Sequence, residues 1–290
     1  MKALVSAARG RTGSRIISAL LARPDCPAIR GMVRGATERD PAPPGLEWHR
    51  CDMRDDAAVS RAVQGVDAVI HYAPAFDPDE ASFGRRMIAA ARRHGAKRFI
   101  YISVIHPGIR ALPNHRAKLE VESCLVDSGL DWTILRPQHY MQAIDPCAAV
   151  AAGFVEMPYP VATRLGQVDM RDLAEAAAQV LCEPGHGHAT YDIASDEHLS
   201  VEDICQRIAM ASGRPIEPRA IPVDEFLARV RHRRGPLTPY AEAGFRTLFD
   251  YYAAHGIRGN SNLLRWLLRR SATSFSDYAS RRLAASTLPH

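Results

Sequence analysis

No apolar run in the chain approaches the roughly 20 residues of a membrane-spanning helix, which excludes a protein embedded through such helices. Near the N-terminus Arg9 and Arg11 interrupt any apolar signal core, so a cytoplasmic protein is expected. The cysteines Cys26, Cys51, Cys124, Cys147, Cys182 and Cys205 form no Cys-x-x-Cys pair, which argues against a zinc or disulfide framework. They read as reduced thiols, and no metal site is expected. Repeats and low-complexity segments are absent as well. There is no block of like charge, although residues 223–290 hold 11 Arg against 5 acids. These arginines are interleaved with Leu, Phe and Tyr at helical spacing, the pattern of a solvated helix face rather than a nucleic-acid surface.

What is present is an alternation of short strands and helices. Strand patterns cover residues 2–6, 28–33, 46–50, 66–72, 97–103 and 130–135. Helical patterns cover 15–22, 55–64, 80–94 and 116–128, with Gly95 and Gly129 closing the last two. Such alternation implies right-handed crossovers and a doubly wound parallel sheet with helices on both faces, an α/β fold. The second half is more helical, with helices at 169–182, 200–212, 223–233, 239–254, 260–269 and from residue 275, and a short strand at 190–194. At 290 residues, 47% of them hydrophobic, the chain can bury a large core. We expect a nucleotide-binding domain at 1–150 and a smaller, mostly helical lobe at 151–290, interleaved with the first rather than folding independently.

The first turn carries the chemistry. A buried strand, a small-residue turn and a helix N-terminus make a phosphate cradle, because backbone N–H groups and the helix dipole both face the anion. The turn comprises Ala7, Arg9, Gly10, Arg11, Thr12 and Gly13, with alanine where the first glycine of such turns stands. Alanine costs something there only if its φ must be positive. After the second strand comes Arg34 rather than an acid, and no acid follows until Glu38. An acid there selects NAD by bonding the ribose hydroxyls, whereas Arg accommodates the extra phosphate of NADP. NADP(H) is therefore expected over NAD(H). After the third strand, Asp52 either accepts a bond from an adenine amino group or caps the helix beginning near Asp55, with Met53 beside it. Lys118, with Glu122 four residues on, reads by itself as a surface ion pair.

Several segments resemble a known family. V-S-A-A-R-G-R-T-G at 5–13 resembles the glycine turn of the atypical short-chain dehydrogenase/reductases. A-A-R-R-H-G-A-K-R-F-I-Y-I-S-V at 90–104 and H-R-A-K-L-E-V-E-S-C-L-V-D-S-G-L-D-W-T-I-L-R-P at 115–137 are similar to that family's central helices and strands. Y-D-I-A-S-D-E-H-L-S-V-E-D-I at 191–204 is similar to the matching segment of its NmrA-like members. The resemblance implies a Rossmann-like fold that binds NAD(P). It places Ser103 at the family's serine and Lys118 at the lysine of the Y-x-x-x-K pair, which bonds the nicotinamide ribose. It also places Tyr72, Ala73 and Pro137 beside the cofactor.

The same alignment puts Asn114 where the family's tyrosine stands, and an amide cannot donate a proton as a phenol does. His106, His115, His139 and Tyr140 are the alternative donors, and Lys118, His139 and Tyr140 are the catalytic candidates. Two functions follow from the resemblance. One is an NADPH-dependent reductase of a quinone, imine or enone. The other is a non-catalytic sensor of the NADP(H) ratio that regulates a partner protein, as NmrA-type proteins do. Partners are thus a small-molecule substrate or a regulatory protein; a homodimer is compatible with either.

Overall fold

The structure, a computed structural model, describes residues 1–35 and 41–286, with Arg234 described by its backbone alone. Glu38, the first acid after Arg34 in the sequence, lies outside the described residues. The chain divides into two compact units, Met1–Pro137 with Arg171–Asp192, and Gln138–Met170 with Ile193–His290. It passes from one to the other three times, whereas the sequence placed one boundary at residue 150.

The first unit holds, in order, β1 (Lys2–Val5), α1 (Arg11–Leu21), β2 (Ala28–Val33), β3 (Leu46–Arg50), α2 (Asp56–Val63), β4 (Ala68–His71), α3 (Glu80–Arg93), β5 (Arg98–Ile102), α4 (Pro113–Val126) and β6 (Asp131–Pro137). The second unit then contributes β7 (His139–Tyr140), a 3₁₀ turn at Met141–Ala143, α5 (Pro146–Ala152), β8 (Phe154–Met157) and β9 (Leu165–Val168). The chain returns through α6 (Met170–Cys182) and β10 (Ala189–Ile193) to complete the first unit. The remainder is β11 (His198–Leu199), α7 (Val201–Ser212), β12 (Glu217–Ala220), α8 (Val223–Arg234), α9 (Pro239–His255), α10 (Asn262–Leu268) and α11 (Phe275–Ser286).

In the first unit seven strands form one sheet in the order β10-β6-β5-β4-β1-β2-β3. The pairs from β3 to β6 are all parallel. Strand order reverses direction between β1 and β4, and right-handed crossovers then send α1 to one face and α3 and α4 to the other. This is the α/β arrangement expected from the alternation, and the reversal point is where ligands of such sheets bind. One core lies between the sheet and α2, α3 and α4. It is built from Leu4, Met32, Val59, Val69, Met87, Phe99, Val121, Leu125 and Ile134. A Cβ at Gly84 of α3 would lie 2.4 Å from Val121 of α4, so these two helices pack as closely as a glycine allows.

Two helices start earlier than the sequence suggested. The α1 helix begins at Arg11, not residue 15, because Gly10 in an extended conformation already serves as its N-cap. The α4 helix begins at Pro113, whose fixed φ suits a first helical position, and this draws Asn114 into its first turn. The second unit contains short strands that the sequence reading did not separate from its helices: a three-stranded sheet β11-β9-β7 and a parallel pair β12-β8. Within it, the last helix is tied down. Tyr278 donates to the Ile144 carbonyl at 2.9 Å, and Arg281 pairs with the buried Asp169, which also accepts from Gln142 at 2.7 Å. Among the described residues no helix is long and apolar enough to cross a membrane.

Filling the Gly84 position tests the helix contact. Gly84→Ala should cost about 1–3 kcal/mol, the usual range for overpacking, measured by urea unfolding. Val121→Ala in the same chain should return part of it, giving a coupling of opposite sign in a double-mutant cycle.

Candidate functional site

Residues singled out from the sequence in the first unit gather at the carboxyl ends of its strands. Ala7 follows β1, Arg34 follows β2, Asp52 and Met53 follow β3, Tyr72 and Ala73 follow β4, Ser103 follows β5, and Pro137 ends β6. Lys118 projects from α4 to the end of β5, its Nζ 3.5 Å from the Ile102 carbonyl. His139 and Tyr140 belong to the second unit. There they pair in parallel with Gln167 and Val168, and the His139 ring stands edge-on to Tyr252 at 5.8 Å.

The first turn is tight for a reason that lies in its atoms. Ser6 Oγ donates to the Tyr72 carbonyl and accepts from the Tyr72 amide, both at 2.7 Å, which clamps the end of β1 to the end of β4. The chain then turns through Ala7, whose carbonyl accepts from the Gly10 amide at 2.8 Å. A Cβ at Gly13 would lie 2.4 Å from the Ala7 oxygen, so α1 approaches the turn as only glycine permits. Ala7 itself has φ +45°, the left-handed region. The alanine therefore carries the strain that the sequence left conditional. Gly10 brings no side chain to the first turn of α1, and no side chain caps it. The cradle thus fits an anion: the first amides of α1 have no intrahelical acceptor, and a glycine lines each close approach.

Around the cradle, the Arg9 guanidinium lies over the Trp48 ring, 4.9 Å from its centroid. Arg34 is exposed. Asp52 Oδ1 accepts from the Arg54 amide at 3.0 Å, and Asp55, not Asp52, caps α2 by accepting from the Ala58 amide. The capping alternative for Asp52 is thereby corrected: α2 starts three residues too late for it.

Lys118 is not the surface lysine its neighbour Glu122 suggested. Glu122 is held by Arg136 through two bonds of 3.0 and 2.6 Å. Lys118 is 4% exposed and pairs at 2.7 Å with Glu80 of α3, itself 1% exposed. Its Nζ also lies 5.6 and 5.7 Å from the ring centroids of Tyr72 and Tyr101. Burial works against the ammonium, but the Glu80 carboxylate and the two phenol groups outweigh it, and the pKa stands above lysine's ordinary value. Burial in turn pushes the Glu80 carboxyl upward, with Lys118 opposing. No local sequence signal pointed to Glu80, which sits on a different helix.

Other buried polar groups surround the pair. His71 stacks on Tyr101 with ring centroids 5.9 Å apart, and neither of its ring nitrogens has a hydrogen-bond partner. Burial lowers its pKa to about 3. The Tyr101 hydroxyl, Ser103 Oγ and Asn114 Oδ1 are likewise buried without partners. His115 bonds the His106 carbonyl through Nδ1 at 3.0 Å, and burial lowers its pKa to about 4. It is therefore neutral near pH 7 and packed inward. This removes it from the proton donors entertained from the sequence. His106 is exposed, with φ +50°.

With this geometry in place, comparison with known proteins identifies the class. The chain belongs to the NAD(P)H-binding family, whose model matches residues 7–184. It is 28% identical to the NAD(P)H azoreductase of Xenophilus azovorans, over 77% of this chain and 78% of that protein. It is 26% identical to quinone oxidoreductase 2 of Escherichia coli, over 78% of this chain and 80% of that protein. The solved NADPH complex of the Escherichia coli NADPH-dependent quinone oxidoreductase shares the fold, with a TM-score of 0.79 over 98% of this chain and all of that one. The fold is also that of NmrA, a negative transcriptional regulator, with 15% identity and a TM-score of 0.75 over 99% of this chain and 98% of that one. The NAD(P)-binding resemblance read from the sequence is thus borne out by the family model, and the NmrA-like one at the level of the fold.

Two expectations follow. Ala7→Gly should leave the protein equally stable or up to about 1 kcal/mol more stable, because relief of a left-handed alanine (about 1–2 kcal/mol) offsets the added freedom of the unfolded chain. A clear loss in unfolding midpoint would show that the methyl is held by packing. The second concerns pH. His71 and His115 bind protons less tightly in the folded state than in the unfolded chain, whose value is near 6.5. Their contribution is complete above pH 6.5 and is lost as pH falls towards 4 for His115 and 3 for His71. Each adds a slope of up to about 1.4 kcal/mol per pH unit. Unfolding midpoints at pH 7, 6 and 5 should fall, and His71→Phe should flatten the decline.

Proposed function

We propose that this chain is an NADPH-dependent reductase of a small organic electrophile that needs no strong acid: a quinone, an azo compound, an imine or a conjugated enone. The observation that carries the reading is the pairing of a buried, charged Lys118 with Asn114 where a tyrosine would stand. A bound reduced nicotinamide supplies hydride. The chain's residues bind, orient and stabilise. The α1 N-terminus with Gly10 and Gly13 holds the pyrophosphate; Arg34, with Arg9 and Arg11, holds the 2′-phosphate; Asp52 and Met53 border the adenine. Tyr72, Ala73, Ser103 and Pro137 line the nicotinamide end, and the unpartnered Ser103 and Asn114 oxygens offer it bonds.

A lysine held above its ordinary pKa keeps its proton. In this reading Lys118 therefore bonds the nicotinamide ribose and stabilises negative charge instead of supplying the proton. Hydride addition to a quinone or enone gives an anion spread by conjugation, which water can protonate; this is why the missing tyrosine points to such substrates. His139 and Tyr140 remain the side-chain donors that the resemblance implies. The likeness to an azoreductase and a quinone oxidoreductase supports the reductase reading. Asn114 and the NmrA-like fold support a second one, a sensor that binds NADP(H) without turnover.

The test is NADPH oxidation against a quinone, azo dye, imine and enone panel, run beside calorimetry with NADPH and NADH. Turnover on at least one member is expected, with NADPH bound more tightly by about 1–3 kcal/mol, as for bonds to charged groups. Arg34→Ala should erase that preference. Equal affinities in the wild type would remove the role given to Arg34, and tight binding with no turnover would leave the sensor.

A further inference from the structure

Buried ammonium groups are held charged only by what faces them, and here the facing groups can be named. Lys118 is approached by His71 at the end of β4 and Tyr72 just after it, from β5 by Tyr101 and from α3 by Glu80. His115 and Glu122 share its own helix, and Glu122 is already taken by Arg136 of β6. Asp77, ahead of α3, faces Glu80 rather than Lys118, and Arg54 pairs with it. Among the described residues Glu80 is the one carboxylate within ion-pair reach of Lys118. Glu80 opens α3, where the helix dipole favours a carboxylate. Apart from the ammonium, neither of its oxygens has a hydrogen-bond partner.

A pair of this kind is a poor source of stability. Taking both charges out of water offsets most of their attraction, and an apolar pair of the same shape often serves as well. Its geometry suits another purpose. The ammonium is fixed at the carboxyl end of β5, one turn of α4 below Asn114, by a partner on a separate helix.

We propose that Glu80 is a positioning residue that fixes the Lys118 ammonium at the nicotinamide end of the site and keeps it protonated there. This rests on the reductase reading above. Without the carboxylate, burial would favour the neutral amine. Lys118 would then lose the charge that stabilises the developing anion, while the backbone around it stayed the same.

The chain has only three lysines, Lys2, Lys97 and Lys118, so lysine-selective labelling can follow this one group. The protein would be labelled with ¹³Cε-lysine and titrated by NMR from pH 6 to 11, as wild type and as Glu80→Gln. Lys118 in the wild type should show no titration to pH 11, whereas Lys2 and Lys97 approach their ordinary midpoint. In Glu80→Gln the Lys118 midpoint should fall below lysine's ordinary range. Turnover should fall with it: a midpoint one unit under the assay pH leaves about one-tenth of the amine charged. The ratio of kcat at pH 9 to pH 7 should then drop about tenfold in the variant and stay level in the wild type, with the NADPH Kd at pH 7 changed far less. Glu80→Asp, which keeps the charge, should recover part of the wild-type profile. A Lys118 midpoint unmoved by Glu80→Gln overturns the proposal, as does a wild-type Lys118 that titrates at or below 10, a result needing no variant to fold. Failure of the reductase reading looks different: no turnover on any electrophile, with the lysine titrations still as expected.

Discussion

Everything at the candidate site is set by one contact, the approach of the α1 helix to the carbonyl of Ala7. The turn closes on that oxygen, and Gly13 exists where any side chain would strike it. Once the helix is seated there, its first amides lack intrahelical acceptors and no side chain caps them. The Ser6 clamp to Tyr72 fixes the turn against β4, so the phosphate cradle and the tyrosine beside Lys118 share one anchor. The strain at Ala7 is small beside the packing that enforces it. An alanine can hold the place of a glycine when the neighbouring contacts leave the backbone no alternative.

The second determinant is electrostatic. Below the strand ends the first unit buries His71, Glu80, Tyr101, Ser103, Asn114 and Lys118, a concentration of polar groups that a core built for stability alone would avoid. Several lack hydrogen-bond partners. Such groups are tolerated where structure is spent on chemistry rather than cohesion. Lys118, Glu80, Tyr101 and His71 lie against one another at the ends of β4 and β5, and Val69 and Phe99 of the same strands belong to the hydrophobic core.

Much of the first unit was legible in the sequence. The β2 and β3 strands fall where their apolar runs lie between loops, and α3 is closed by Gly95 as read. The starts of α1 and α4 were misplaced for opposite reasons: Gly13 and Ser14 are weak helix formers seated by tertiary contact, and Pro113 announces a helix only once its role at a first position is recognised. In the second unit β7, β8, β9 and β12 have two to four residues each, too few to show a period of two. At the site, a chain-neighbour rule pointed from Lys118 to Glu122 because both lie on one helix. The true partner, Glu80, is brought in by the packing of α3 on α4, which leaves no mark at either position. Asp52 shows the same limit on a smaller scale: whether it caps α2 depended on where the helix began, and α2 begins at Asp56 with Asp55 as its cap.

The threading of the chain has a consequence for how it can be cut. The first unit owns α6 and β10, yet both are encoded after a segment that belongs elsewhere. A stop near residue 150 would leave β6 as a bare sheet edge and remove Leu173, Ala177 and Val180, all fully buried in α6, from the fold. Arg98 would lose the Leu181 and Glu183 carbonyls that receive its guanidinium. Ribosomal synthesis meets the same condition, since the nucleotide-binding sheet cannot close its edge until residue 193 has emerged. Until then the growing chain exposes an unpaired strand, and shielding it falls to whatever chaperone is at hand.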